Sequence, residues 1–225
     1  MKDGRISVIS EMVRKGDRVA DIGTDHAFLA IELVKNEISP FVLACDIAEG
    51  PLNNARSNIE KSGVHNIELR QGNGLSPVRE NEVDSVVIAG MGGDLISDII
   101  SAASWLRDSR YEIILQPMSS VDELRKFLCE NGFLIKKEKA VISSGRVYSI
   151  MKVGFSGTML PVDPYFYAVG KLTENIGEEE ITYFRRVYRI MMEKMNSLKN
   201  VPSKTEQYEE LCTVTEKLEK LLNGG

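Results

Sequence analysis

Through residue 150, short and nearly continuous apolar runs alternate with segments whose apolar residues recur every three or four positions. The runs Arg18–Ile22, Phe41–Asp46, Asn66–Gln71, Val83–Ala89 and Tyr111–Gln116 have the length and composition of buried strands, and each ends in polar or glycine-rich residues. Helical spacing lies between them. Ala27–Val34 follows the first run. Glu49–Lys61 packs through Leu52, Ala55 and Ile59, with Pro51 in its first turn and Gly63 at its exit. Ser120–Glu123 reads as a capping box that opens Val121–Glu130, and Gly132 stops that helix. Strands alternating with helices predict a mostly parallel sheet covered by helices.

Residues 133 to 155 break the alternation. Phe133–Ile142 and Val147–Phe155 are joined by only Ser143–Arg146, too few residues for a crossover helix, so they predict an antiparallel hairpin. Five parallel strands finished by a hairpin match the seven-stranded, Rossmann-like sheet of class I methyltransferases better than an all-parallel dinucleotide fold. Past Gly157 the composition changes, and residues 159 to 164 read as a linker. Ile181, Phe184, Tyr188, Met191, Met195 and Leu198 then follow spacings of three and four, and Tyr208, Leu211, Thr215, Leu218 and Leu222 approximately repeat them. These stripes predict a C-terminal α-helical hairpin of coiled-coil type. The expected organisation is an α/β domain over 1–155 and a helical domain over 156–225.

Composition narrows the function classes. The 225 residues are 43% hydrophobic, enough for a full core and a small appendage, and no run reaches the roughly 18 apolar residues of a membrane span. The start, Met1–Gly4, leads into a polar, amphipathic segment unlike a signal peptide, so the expected location is the cytoplasm. Cys45, Cys129 and Cys212 are widely separated and the only histidines are His26 and His65, a pattern that suggests neither a disulfide framework nor a metal site. A net charge of −5 argues against indiscriminate nucleic-acid binding but allows a local basic patch. Arg185, Arg186 and Arg189 project from one side of the predicted seam and could form one, against the plainer reading of a solvated face.

Candidate chemistry concentrates at the first turn. In Val19–Ala27 an apolar strand reverses into a helix, and Gly23 supplies the turn where a side chain would block a ligand. Asp25 and His26 stand where the later glycines of a dinucleotide fingerprint would fall, and an aspartate at a helix start repels phosphate. The expected ligand is cationic or zwitterionic. S-adenosylmethionine fits, with its amino group meeting Asp21 and Asp25 and its ribose hydroxyls meeting Asp46.

Four strings, Asp21–Ala27, Asp46–Leu52, Ile88–Gly93 and Leu115–Pro117, together resemble the bacterial TrmK family, which methylates N1 of adenine 22 in tRNA with S-adenosylmethionine. The resemblance extends over nearly the whole chain. It implies a cofactor site formed by Asp21, Gly23, Thr24, Asp25, Asp46, Ile47, Gly72, Asn73, Gly74, Ala89, Gly90, Met91 and Gly92. Near the acceptor base it implies Asp25 and His26, which can orient adenine or take its exocyclic proton, and Gln116 and Pro117, which can contact its edge and face. For His26 a backbone-satisfied structural role remains open. Two positions depart from the family pattern: Asn73 replaces the aspartate of Gly-Asp-Gly-Leu, and Met118 replaces the asparagine after Gln-Pro. RNA contact is expected from Arg5, Arg146, Arg185, Arg186 and Arg189, with Arg5, Lys136 and Arg146 as the alternative face on the α/β domain. Two other function classes stay open: a dinucleotide-dependent oxidoreductase, disfavoured by Asp25 and the terminal hairpin, and a non-catalytic coiled-coil partner protein whose α/β domain only binds cofactor, favoured if Asn73 and Met118 signify decay.

Overall fold

A computed structural model describes residues 4–161, 163–199 and 202–223. Val162, within the expected linker, and Met1–Asp3 of the start lie outside the described residues. Seven strands form one sheet: β1 Val19–Ile22, β2 Val42–Asp46, β3 Ile67–Gln71, β4 Ser85–Gly92, β5 Glu112–Ser119, β6 Phe133–Ser143 and β7 Arg146–Phe155. Their order is β3-β2-β1-β4-β5-β7-β6. The pairs among β1 to β5 are parallel, while β7 runs antiparallel to both β5 and β6. Val19 stands opposite Val42 on one side and Ser85 on the other. All five parallel strands and the hairpin expected from the apolar pattern are present, with ends displaced by a few residues.

Alternate residues of the parallel strands feed two cores, one on each face, as strands buried on both sides require. On one face Ala20, Leu43, Val86, Ile88, Ile113 and Leu115 meet Ile96 and Ile100 of helix α4 (Gly93–Ala102) and Leu124 and Leu128 of helix α5 (Val121–Glu130). On the other, Val19, Val42, Ala44, Val87 and Ile114 meet helices α1 (Gly4–Met12), α2 (Phe28–Lys35) and α3 (Glu49–Ser62) through Ile9, Met12, Leu29, Leu33 and Ala55.

The capping box expected at Ser120 does not form. Ser120 sits in the left-handed region at φ 49°, and its hydroxyl donates instead to Asp94 at 2.9 Å. Close packing is the physical reason: the Ser119–Ser120 backbone lies so near Gly93 that any Cβ there would strike the Ser120 carbonyl. Glycine at 93 thus lets the start of α4 approach the turn after β5.

The expected linker is partly helix. Asp163 caps helix α6 (Pro164–Val169) by accepting from the Tyr165 amide at 3.0 Å, with Pro164 in the first turn, and a 3-10 segment, Gly170–Glu174, follows. Aspartate followed by proline was the signal for this start. Helices α7 (Glu178–Leu198) and α8 (Thr205–Leu222) form the hairpin read from the apolar stripes. The buried surface extends beyond the predicted seam, since Tyr183, Val187 and Val214 join Phe184, Met191 and Leu218 in a core that also takes Ala140 and Val147 of the sheet. The helices therefore bury a face against β6 and β7 as well as against each other.

Arg125 of α5 is the hub of this junction. Fully buried, it donates to Glu138 Oε1 at 2.6 and 3.1 Å, to the Tyr167 and Ala168 carbonyls at 2.8 and 2.9 Å, and to the Tyr183 hydroxyl at 3.2 Å. Glu138 also accepts from the Ser149 hydroxyl and from the Lys171 amide at 2.9 Å. Burial alone would lower the Arg125 pKa, but Glu138 and Tyr183 outweigh it and hold the guanidinium charged. At the root of α7, Glu180 accepts from the Ala140 amide at 3.0 Å and Glu179 from the Ile142 amide at 3.1 Å.

Candidate functional site

The strand order reverses direction between β1 and β4, which opens a crevice at their carboxyl ends. A cavity of about 210 Å3 lies there, lined by Asp21, Gly23, Thr24, Asp25 and His26 after β1, Ala89 and Gly90 of β4, Gln116 of β5, and Arg5 and Phe28 from α1 and α2. Residues more than 100 positions apart in the chain thus meet, because parallel strands deliver their ends to one side.

Asp21 is 6% exposed. Desolvation pushes its carboxyl pKa up to about 6, with nearby Asp46 adding to the rise and the Thr24 hydroxyl opposing it. Thr24 Oγ1 is buried and completes no hydrogen bond of good geometry among the described residues. A buried acid and an orphaned hydroxyl, side by side in a crevice, suit a ligand that brings a positive charge and a donor. Gly23 holds φ +84°, and a Cβ there would strike the Met91 methyl. Gly90 holds φ +79° with open space where its Cβ would stand, leaving the backbone accessible.

Asp46 ends β2 partly exposed, its Oδ1 accepting from the Ala48 amide at 2.9 Å and its carbonyl from the Gly72 amide at 2.9 Å. The next residue, Ile47, is exposed. Asn73 and Gly74 line a separate hollow of about 600 Å3 with Leu95, Asp98 and Trp105. Met91 is partly buried, and Gly92 supplies the extended residue before α4.

His26 and Asp25 are adjacent in space as in sequence, with Nε2 3.3 Å from Asp25 Oδ2. The His26 carbonyl is pinned by the Asn58 amide at 3.0 Å. Gln116 is buried: Nε2 donates to the Pro117 carbonyl at 2.9 Å and approaches Met118 Sδ at 3.5 Å, while Oε1 accepts from Arg5 at 3.4 Å. Arg5 also approaches Met118 Sδ at 3.8 Å and lies over the Tyr148 ring at 5.1 Å. Pro117 is buried in β5 opposite Met91 and does not line the crevice.

A second cleft of about 700 Å3 adjoins this corner through Met118. Arg146 at the start of β7 and Arg185, Arg186 and Arg189 from α7 line it together with Tyr148 and Thr182. Arg186 donates to the Val147 carbonyl at 3.1 Å, whereas Arg146, Arg185 and Arg189 are exposed. Arg146, from the face that the sequence offered as the alternative, therefore shares one cleft with the α7 arginines, and Arg5 borders it through Met118 and Tyr148. Lys136 stands apart from it, paired with Glu112 at 2.8 Å. Tyr148 and Phe28 went unmarked in the sequence because one lies in an ordinary apolar strand and the other opens an ordinary apolar helix. Among the described residues no group of three His, Cys, Asp or Glu side chains is placed to hold a metal, and no helix is long and apolar enough to cross a membrane.

Residues 2–151 match the family model described as a methyltransferase domain. The chain is 33% identical over 148 residues to the tRNA (adenine(22)-N(1))-methyltransferase of Bacillus subtilis, an alignment spanning 65% of this chain and 62% of that protein. In three dimensions it is similar to the crystal structure of the B. subtilis m1A22 tRNA methyltransferase TrmK, with a TM-score of 0.85, 25% identity, and 99% of each chain covered. It is also similar to M. capricolum TrmK in complex with S-adenosyl-homocysteine, with a TM-score of 0.77 and 26% identity, covering 97% of this chain and 96% of that one.

Proposed function

The chain belongs to the methyltransferase-domain family and within it to the TrmK family, and from that premise we propose that it methylates N1 of adenine 22 in tRNA at the expense of S-adenosyl-L-methionine. The observation that carries the reading is the buried Asp21 carboxyl, with no cation beside it among the described contacts, next to the buried Thr24 hydroxyl at the reversal between β1 and β4. The residues present fit the cofactor. Asp21 with Asp25 would hold its ammonium group, Asp46 its ribose hydroxyls, and the backbone of Gly23, Gly90 and Gly92 would permit close approach, with Ala89, Met91 and Thr24 walling the site. Ile47 and Gly72, next to Asp46 in chain and in space, would flank its adenine together with Asn73 and Gly74. The antiparallel β7 beside β5 weighs against the dinucleotide-dependent alternative.

When bound, the cofactor supplies an electrophilic methyl group, and adenine N1 offers an in-plane lone pair to it. The protein's task is placement and the exclusion of water. Gln116 is held rigid by Arg5 and the Pro117 carbonyl, so its Oε1, which keeps a second lone pair, can accept from the adenine amino group without first being ordered. Pro117 acts from beneath, fixing the strand end that carries Gln116. His26, beside Asp25, is placed to receive the proton that methylated adenine sheds from its exocyclic nitrogen.

The arginine cleft supports RNA binding, with Arg146, Arg185 and Arg189 as phosphate contacts, Arg186 partly committed to the sheet, and Arg5 linking that surface to the crevice. This reading assigns cofactor binding to residues 1–155 and tRNA binding mainly to 156–225, two units that share the Arg125 junction, in a protein that works in the cytoplasm. Incubating pure protein with unmodified tRNA and labelled S-adenosylmethionine, followed by mapping of the methylated nucleotide, tests it. A single m1A at position 22 is expected; label elsewhere, or none with an intact fold, overturns it.

A further inference from the structure

Phe28 opens α2 at the rim of the crevice with 56% of its surface exposed. Its ring lies 5.2 Å from that of His26, at an angle of 15°, so the two form a near-parallel stack. Between them Ala27 occupies the left-handed region at φ 55°, a conformation that costs an alanine backbone strain. That backbone turn, with the His26 carbonyl tied to Asn58, sets residues two apart on the same side. An exposed phenylalanine spends apolar surface on water, and strain is retained beside it; neither serves the core, because Ala27 and Leu29 already fill the space beneath α2.

Resting on the function proposed above, we infer that Phe28, backed by His26, is a stacking platform for a nucleobase of the RNA, the everted target adenine. A base must leave its own stack to reach an enclosed site, and the stacking it loses has to be replaced. An aromatic face replaces it without regard to hydrogen-bonding pattern, while Gln116, which lines the same cavity, reads the edge. The platform is thus a substrate-binding element distinct from the acids that face the cofactor.

The test compares Phe28→Ala, Phe28→Leu and Phe28→Tyr with the unaltered protein. Three quantities are measured: tRNA methylation kinetics, tRNA binding by the cofactor-loaded protein, and S-adenosylmethionine affinity by calorimetry. Because the side chain is exposed, the variants are expected to fold, and circular dichroism checks this. The alanine variant should raise the KM for tRNA about tenfold with cofactor affinity unchanged, tyrosine should retain the original KM, and leucine should resemble alanine because it has bulk but no ring. If leucine performs like phenylalanine, or if alanine alters cofactor affinity instead, the platform is refuted. If the unaltered protein binds the cofactor but does not methylate tRNA, the proposed reaction fails, and the inference fails with it. If it methylates normally and so does the alanine variant, the inference alone fails.

Discussion

Replacing Arg125 with methionine removes a side chain that touches α6, α7 and the sheet together. Five donated hydrogen bonds disappear, and the Glu138 carboxylate stays buried with only the Ser149 hydroxyl and the Lys171 amide for partners. Methionine fills much of the vacated volume, so the cost is mainly electrostatic: an uncompensated buried charge costs about 3–5 kcal/mol. For a chain of this size about 1 kcal/mol moves Tm by roughly 2–4 °C, so a fall of about 10 °C is expected. Urea denaturation followed by circular dichroism measures the loss. The accompanying double mutant, Arg125→Met with Glu138→Gln, removes the stranded charge yet leaves an acceptor for the Lys171 amide. It should recover at least half of the stability, a coupling of about 2 kcal/mol. A single-mutant loss below about 1 kcal/mol, or a double mutant that is simply additive, would refute the view that charge compensation holds this junction.

Asp21 gives a prediction in pH. Its folded pKa of about 6 lies above the ordinary aspartate value, so the native state binds the proton more tightly than the unfolded chain does; the ligand-free protein should lose stability as pH rises from about 4 through 6. Asp21→Asn should abolish that slope, raise ligand-free Tm at pH 7.5, and weaken S-adenosylmethionine binding about ten- to a hundredfold, as thermal shift and calorimetry would record; a lower ligand-free Tm would contradict it. Alanine at Arg146, Arg185 and Arg189 should lower the salt dependence of tRNA binding by up to about one phosphate per arginine without changing cofactor affinity, and an unchanged slope in filter binding would leave these residues a solvated face. Asn73→Asp should tighten cofactor binding by roughly 1 kcal/mol or less, because a charged acceptor replaces a neutral one, and a weaker titration would show the hollow to be built around the amide.

The fold was legible in the chain because its signals are local and repeated. Continuous apolar runs marked the parallel strands, and a four-residue connection forced β6 and β7 into a hairpin. The acids Asp21 and Asp46 lie at or near the ends of two neighbouring strands, where the apolar runs put them, and Asp21 lines the crevice between β1 and β4. What escaped was set by contacts distant in sequence. Ser120 looked like a cap until Gly93 and Asp94 were brought against it. Arg125 carried no mark in the pattern of its helix, and it is the return of α6 and α7 that buries it. The seam of α7 and α8 was read too narrowly because a heptad reports one partner, whereas α7 has two.

The carboxylates of Glu179 and Glu180 have a consequence for solubility. Strand β6 is the outermost strand on its side of the sheet, eleven residues long, with a row of main-chain amides facing away from β7. Bare strands of that kind are templates on which a second chain can add itself. By occupying the amides of Ala140 and Ile142, the two acids place fixed negative charge and a helix where such an addition would begin. The C-terminal arm is thereby also a guard against self-association, and a protein deprived of it would be expected to polymerise strand to strand.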